Sequence, residues 1–191
     1  MRLGHRRAPL FGAVLAMAFS ASALAVGSTP PRHENGHDAA SKRVDVVEAP
    51  PHAFPMRAVP EYGDGLDAGR GHEGQDMFAP AGTPLVAVAN AAVIETGSDG
   101  GAGNYVSIYD AAAKRTYNYF HMLAPAIVSA GERVRAGQKL GELGCTGSCW
   151  GDHLHFEVRV GRGTWGSVLD PTPTLRRLSA ELAFNGRLKA G

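Results

Sequence analysis

Short runs of apolar and β-branched residues along the middle of the chain predict β-strands. Each run is bounded by glycine, asparagine or aspartate, which is typical of strands between turns. The clearest runs are Leu85 to Val88, Ala92 to Thr96, Tyr105 to Tyr109 and Thr116 to His121. Because the segments between them are short, we expect a meander of antiparallel strands.

The segment from His153 to Val160 predicts another strand, because polar and apolar residues alternate along it. Successive side chains of a strand point to opposite faces, so His153 and His155 project from the same face. We expect the apolar face to be buried and the histidine face to be presented. The glycine-rich stretch before this strand excludes a long helix, and only the tail from Thr172 onward predicts a short one. The expected fold class is therefore all-β, mainly antiparallel sheet, with a short C-terminal helix.

Composition divides the chain into segments. Residues 1–25 combine arginines, an apolar run and the ending Ala23-Leu24-Ala25, which are typical of a secretory signal peptide. We expect cleavage after Ala25 and a secreted or periplasmic location. The apolar run is too short to span a bilayer comfortably, so no transmembrane segment is expected after cleavage. Residues 26–54 predict a linker or pro-segment, 55–175 one domain, and 176–191 a tail that could be helical.

The predicted linker contains His33, His37 and His52. Two interpretations stay open for these histidines: they are solvated linker side chains, or they mask a metal and inhibit the domain. A variant without residues 26–52 tests this, because activity no higher than that of the mature chain would remove the inhibitory interpretation.

Net charge argues against nucleic acid as a partner. The formal net charge of the whole chain is +1, and it falls to −2 without Arg2, Arg6 and Arg7 of the predicted signal peptide. Such a mild balance gives no support for binding a polyanion.

The segment His72-Glu73-Gly74-Gln75-Asp76 contains two candidate metal ligands. Its spacing is similar to the helical zinc motif His-Glu-x-x-His. Glycines in and before the segment and Pro80 after it exclude that helix. An extended segment also places positions i and i+4 on one side, so His72 and Asp76 can both bind a metal while Glu73 points elsewhere.

His121, His153 and His155 complete the candidate site. Catalytic zinc sites use three nitrogen or oxygen ligands and leave the fourth position to water. His72, Asp76 and one histidine of the His-Leu-His pair make such a set. The other histidine and His121 could then move protons or stabilise a developing oxyanion, which suits amide hydrolysis by activated water. A single buried histidine is usually just bonded to the backbone, so it is the joint occurrence of these motifs that favours a metal site.

These residues give the chain a resemblance to the lysostaphin- or LytM-type zinc metalloendopeptidases, which cut peptidoglycan peptides. The resemblance covers roughly residues 54–171 and rests on several short stretches. They are His72-Glu73-Gly74-Gln75-Asp76, Ala79-Pro80-Ala81-Gly82-Thr83-Pro84, Gly103-Asn104-Tyr105-Val106, Tyr119-Phe120-His121-Met122-Leu123, Val134-Arg135-Ala136-Gly137-Gln138 and His153-Leu154-His155-Phe156-Glu157.

The resemblance implies a compact antiparallel β-fold with its site in a groove. Carried over to matching positions, it implies one zinc ion per chain, held by His72, Asp76 and His155, with His121 and His153 as catalytic histidines. The expected function is a secreted zinc metalloendopeptidase that hydrolyses peptide cross-links of bacterial peptidoglycan. Peptidoglycan peptides are the expected partner.

Other functions stay open. A non-catalytic relative could bind the wall or activate a separate hydrolase, although relatives of that kind have lost zinc-binding residues and all five positions are filled here. A protein-digesting enzyme that cuts glycine-rich targets is a third possibility. The bond cut, whether the D-Ala to diaminopimelate cross-link or a glycine bridge, and the oligomeric state are not specified by these residues.

The segment before His153 departs from the resemblance. Cys145 and Cys149 predict a disulfide in an exported protein. Closing so small a loop contributes only roughly 2 kcal/mol, so its expected use is to shape the loop before His153. The alternative is a closed structural zinc site formed by these cysteines with His153 and His155. Asp152 also stands where relatives more often have proline, and it can alter the charge of the groove's rim.

Overall fold

A computed structural model of the chain describes residues 51–69 and 71–189. The predicted signal peptide and the predicted linker before residue 51 lie outside the described residues. The elements within them, in chain order, are β1 (Glu61–Tyr62), β2 (Gln75–Phe78), β3 (Pro84–Val86), β4 (Ala91–Asp99), β5 (Gly103–Asp110), β6 (Arg115–Met122), β7 (Arg133–Val134), β8 (Lys139–Glu142), β9 (His153–Val160), β10 (Val168–Leu169) and α1 (Thr172–Lys189). The described residues are therefore mostly β-sheet with one C-terminal helix, which confirms the predicted fold class.

The main sheet contains the His-Leu-His strand in its interior. Its strands are antiparallel and follow the order β1-β2-β9-β6-β5-β4-β7, with β10 also paired to β9. Three of the four predicted runs form the expected meander, as β4, β5 and β6. The first run, Leu85 to Val88, does not belong to it, because β3 pairs with β8 in a separate two-stranded sheet. Because β9 lies between β2 and β6, its histidines lie next to the strands that carry Asp76 and His121.

The apolar face of β9 packs into the core and fixes the strand. Leu154 and Phe156 are fully buried, and the ring of Tyr119 meets Phe156 edge-on at 5.3 Å between centroids. The core extends to Leu175 and Leu178 of α1. Each such buried side chain contributes about 1.5–3 kcal/mol, so this face holds β9 firmly in the sheet.

The polar face of β9 is buried as well, and the prediction that it would be presented is wrong for most of the strand. Glu157 and Arg159 are each 2% exposed. The reason is that other segments cover this face: the Arg159 guanidinium donates to Gly166 O at 2.6 Å and to the Glu73 carboxylate at 2.7 Å. The polar face opens to a cleft at its histidine end.

Residues on both sides of the predicted domain boundaries pack with the domain. Phe54, placed at the end of the linker from sequence, is buried in the core, and Ala53 N donates to Val88 O at 2.9 Å. Leu178, in the predicted tail, belongs to the same core. In the part of the chain that the structure describes, no helix has the length and apolar character needed to cross a membrane.

Candidate metal centre and catalytic cleft

Strand pairing places a carboxylate and an imidazole side by side. Asp76 on β2 lies directly opposite His155 on β9, and Phe120 on β6 lies opposite His155 on its other side. Directly paired residues project from the same face with Cβ atoms about 4.5–5.5 Å apart. Asp76 Oδ1 is accordingly 2.8 Å from His155 Nδ1.

His72 completes a cluster of three donor atoms. It lies in the loop before β2, with Nε2 3.1 Å from Asp76 Oδ1, so the helical motif was rightly excluded. One ligand atom from each of His72, Asp76 and His155 lies within 4.8 Å of the others. Two atoms that each bind one zinc ion at about 2.0–2.2 Å lie less than 4.8 Å apart, so the spacing of these three atoms is compatible with a single shared metal ion. Two imidazole nitrogens and a carboxylate oxygen form a donor set that zinc accepts.

Each histidine of the cluster has its other ring nitrogen occupied. His72 Nδ1 is 2.8 Å from Gly65 O, and His155 Nε2 is 3.3 Å from Glu157 Oε1. These oxygens can only accept, so the two nitrogens carry the ring protons. His72 Nε2 and His155 Nδ1 are thereby left to face the cluster. Partners of this kind fix the tautomer and orientation of metal-binding histidines.

Glu157 belongs to a buried polar network that sequence reasoning missed. Its Oε2 accepts from Asn118 Nδ2 at 2.7 Å and from Arg159 Nε at 2.9 Å. Burial alone would raise the pKa of Glu157, but hydrogen bonds from His155, Arg159 and Asn118 outweigh burial and lower it. The signal was present, because the period of two along β9 puts Glu157 on the face of His155. Glu73 binds Arg159 at the outer end of this network and, as predicted, stays out of the donor cluster.

His121 and His153 lie beside the cluster without belonging to it. Their ring centroids are 4.7 Å apart, and His153 Nε2 is 3.6 Å from Asp76 Oδ1. His121 Nδ1 is 2.8 Å from Thr146 O, and His153 Nδ1 is 2.8 Å from Gly151 O. Since a carbonyl oxygen can only accept, both rings carry a proton on Nδ1 and leave Nε2 for the cleft.

A left-handed backbone conformation turns His121 into the cleft. Its φ of 61° is rare for a residue other than glycine. The preceding residue, Phe120, stacks on His155 at 5.6 Å between ring centroids and lines the same cleft. Neighbouring residues of a regular strand point to opposite faces, so this break in the alternation lets both side chains face one side. Backbone strain of this kind, costing about 1–3 kcal/mol, tends to occur at functional sites.

The charges of the cluster shift its pKa values. Burial acts to raise the pKa of the Asp76 carboxyl, but the hydrogen bond from His155 and the other nearby histidines outweigh burial and lower it. Burial acts to lower the pKa of His155, but its bonds to Asp76 and Glu157 raise it to about 9. For His121 burial prevails and lowers the pKa, which favours the neutral ring.

Comparison with known proteins identifies the family of the chain. A family model described as peptidase family M23 matches residues 70–170, a stretch that contains all five residues of the candidate site. This chain belongs to peptidase family M23. The predicted resemblance to lysostaphin- and LytM-type enzymes is thereby confirmed.

Individual M23 relatives agree with this assignment over part of their length. The chain is 41% identical to the peptidoglycan DD-endopeptidase ShyC of Vibrio cholerae over 91 residues, which cover 48% of this chain and 21% of ShyC. It is 34% identical to lysostaphin of Staphylococcus simulans over 116 residues, 60% of this chain and 23% of lysostaphin. The chain thus spans about a fifth of the length of each of these relatives.

The solved catalytic domain of lysostaphin from Staphylococcus simulans resembles the M23 domain described here. The two share 31% sequence identity and superpose with a TM-score of 0.57. The alignment covers 61% of this chain and 92% of the lysostaphin domain. The lysostaphin-like fold expected from the sequence is therefore present.

Two tryptophans and a disulfide-closed loop form walls of the cleft in this M23 domain. Trp150 is 73% exposed and Trp165 is 61% exposed, and both line the cleft. Cys145 and Cys149 are joined in a disulfide, as predicted, so the alternative zinc site that needs their thiolates is not formed. Sequence reasoning singled out neither tryptophan, because an isolated exposed aromatic residue has no spacing pattern that marks it.

Proposed function

We propose that this M23 protein is a zinc-dependent metalloendopeptidase of the bacterial cell envelope that hydrolyses a peptide cross-link of peptidoglycan. One observation carries the proposal. Three donor atoms and two further histidines converge on one cleft, and each of the four imidazoles has one ring nitrogen fixed by a hydrogen bond. The DD-endopeptidase and lysostaphin names of the relatives support the class of substrate.

His72, Asp76 and His155 would hold one zinc ion per chain. Their donor atoms are already close together. The partners of His72 and His155 select the tautomers in which the neutral rings can bind a metal through His72 Nε2 and His155 Nδ1. In such a site zinc supplies Lewis-acid polarisation of a carbonyl and a lowered pKa for water.

His121 and His153 would handle protons and charge during hydrolysis of the amide. The neutral ring of His121 can take up a proton at Nε2, and Thr146 O, which already accepts from Nδ1, stabilises the resulting imidazolium. His153 lies closer to Asp76, and its Nε2 faces the cleft without a proton. It would first take up a proton at Nε2 and then donate it to the developing oxyanion or to the leaving amine. The two roles require neither histidine to bind the metal.

The same observations favour catalysis over a non-catalytic role in wall binding or activation of another hydrolase. A purely binding role places no requirement on the ring tautomers of His121 and His153, whereas proton transfer does. The buried hydrogen bonds of Glu157 to His155, Asn118 and Arg159 are also typical of the partners that orient a metal-binding histidine.

Digestion of purified walls tests the proposal. The chain from residue 26 onward, loaded with zinc, would be incubated with diaminopimelate-type peptidoglycan, with glycine-bridged peptidoglycan and with an elastin-like peptide, and the products identified by mass spectrometry. We expect release of peptide fragments from at least one wall type, and the new termini name the bond. Cleavage of the elastin-like peptide alone would identify a protein-digesting enzyme. Wall binding without any cleavage would favour the non-catalytic role.

A further inference from the structure

The loop between β8 and β9 contains hydrogen-bond partners of His121 and His153, the two histidines outside the metal-binding cluster. Its residues Thr146 and Gly151 supply the carbonyl oxygens that accept from His121 and His153, each at 2.8 Å. These oxygens belong to the backbone, so the orientation of each ring depends on where this loop lies. The Cys145–Cys149 disulfide closes the loop.

The disulfide contacts the part of the loop that holds His153. Gly151 N lies 3.2 Å from Cys145 Sγ, and Cys149 Sγ lies 3.0 Å from Gly151 O and 3.7 Å from His153 Nδ1. A disulfide sulfur has no proton to donate, whereas His153 Nδ1–H donates to Gly151 O. A free thiol at Cys149 would add a second donor to the same oxygen at that distance.

The Thr146 end of the loop has its own non-covalent supports. Thr146 Oγ1 donates to Met122 O at 2.7 Å and accepts from Asn104 N at 2.8 Å. Gly147, at φ 75°, packs backbone to backbone on Gly103, and a Cβ on Gly147 would clash with Gly103 N. The carbonyl oxygen of Thr146 should therefore stay in place without the disulfide. The backbone of Gly151, in contrast, contacts the disulfide itself, with its O next to Cys149 Sγ and its N next to Cys145 Sγ.

We propose that the Cys145–Cys149 disulfide is a positioning element of the cleft: it fixes the ring of His153 through Gly151 O, so that its loss lowers turnover while metal binding persists. The proposal rests on the proposed function, because it requires His153 to act in catalysis. The backbone of His153 would stay in place, since His153 N donates to Gly144 O and β9 remains paired with β2 and β6. The loss of order is thus confined to the Gly151 part of the loop and the ring of His153.

The test compares three forms of the zinc-loaded chain from residue 26 onward: oxidised, reduced, and the double variant Cys145→Ala/Cys149→Ala. A trialkylphosphine reduces the disulfide: the S–S bond takes up two electrons and two protons, giving two thiols, and the phosphine takes oxygen from water to become its oxide. The readouts are ¹⁵N–¹H spectra of the histidine rings, zinc stoichiometry, and kcat and KM on peptidoglycan fragments. The double variant treated with phosphine controls for other effects of the reductant.

We expect reduction and the double variant to lower kcat about tenfold or more, with KM changed less than about twofold and one zinc retained. The single Nδ1–H tautomer of His153 should give way to a mixture, while the signals of His121 stay unchanged. Phosphine should have no further effect on the double variant. An unchanged His153 spectrum, an unchanged kcat, or loss of zinc would each overturn the proposal. If the oxidised protein is itself inactive, the proposed function fails. The spectra of the histidine rings still show in that case whether the disulfide positions His153.

Discussion

Replacing Glu157 with glutamine should weaken zinc binding without unfolding the domain. The Glu157 carboxylate is buried and accepts from three donors: His155 Nε2, Asn118 Nδ2 and Arg159 Nε. An amide offers only one accepting oxygen, and its nitrogen donates. If the glutamine oxygen keeps the bonds to Asn118 and Arg159, its nitrogen faces His155 Nε2–H and two donors meet. Moving the ring proton to Nδ1 relieves the conflict, but Nδ1 is the proposed metal ligand.

The size of the effect follows from this conflict. A buried donor without an acceptor costs about 1–3 kcal/mol, and loss of a carboxylate behind a metal-binding histidine typically costs about 10–100-fold in metal affinity. We therefore expect the zinc dissociation constant of Glu157→Gln to rise on the order of 10–100-fold. Competition with a chromogenic zinc chelator would measure it, and thermal unfolding would report whether the domain stays folded.

Glu73→Gln is the matched control for this experiment. Glu73 binds the same arginine, Arg159, but its side chain is 54% exposed and it has no contact with His155. Its replacement should change zinc affinity by less than about threefold, since solvent can replace an exposed partner. A folded Glu157→Gln variant with the zinc affinity of the parent would refute the reasoning. Equal losses in both variants would assign the effect to Arg159 instead.

Three further predictions separate ligands from catalysts. His155→Ala should lose both zinc and activity, because a three-ligand site cannot easily lose one donor; metal analysis of the purified variant checks this. His121→Asn should keep its zinc and its positive φ, because asparagine tolerates that backbone conformation. Its kcat should fall on the order of a hundredfold or more. Loss of zinc from this variant would show that the division between ligand and catalyst is wrong. Zinc binding at pH 7.5 should release close to one proton, because the raised pKa of His155, about 9, keeps its ring protonated until the metal takes Nδ1. Calorimetry in buffers of different ionisation enthalpy measures the number of protons released. A value near zero would contradict the assignment of His155 as a ligand.

The part of the site that lies on regular strands could be predicted from the sequence. Alternation of polar and apolar residues predicted β9 with the bounds that the structure has, His153–Val160, and put His153 and His155 on one face. The spacing of His72 and Asp76, together with the glycines around them, excluded a helix and placed both side chains on one side. Along β9 a local rule of side-chain direction was enough, because the backbone there is extended, whereas His72 lies in the loop before β2.

Where the backbone departs from a regular strand, the same rule fails. Alternation along β6 would put His121 on the face of Tyr117 and Tyr119, which are buried in the core. The left-handed conformation of His121 reverses its direction, and no residue type in the sequence marks that conformation. The carbonyls of Thr146 and Gly151 were also beyond prediction, because every residue has such an oxygen and only the folded loop shows which two meet the histidines.

Zinc-dependent turnover by one metal ion per chain is the central claim, and a zinc titration of activity tests it most directly. The chain from residue 26 onward would be stripped of metal with a chelator, returned to zinc in steps, and assayed for release of peptides from purified peptidoglycan. The account predicts no release without metal, a linear return of activity, and saturation at one zinc per chain. Full activity in the stripped protein, or no activity once one zinc is bound, would contradict it.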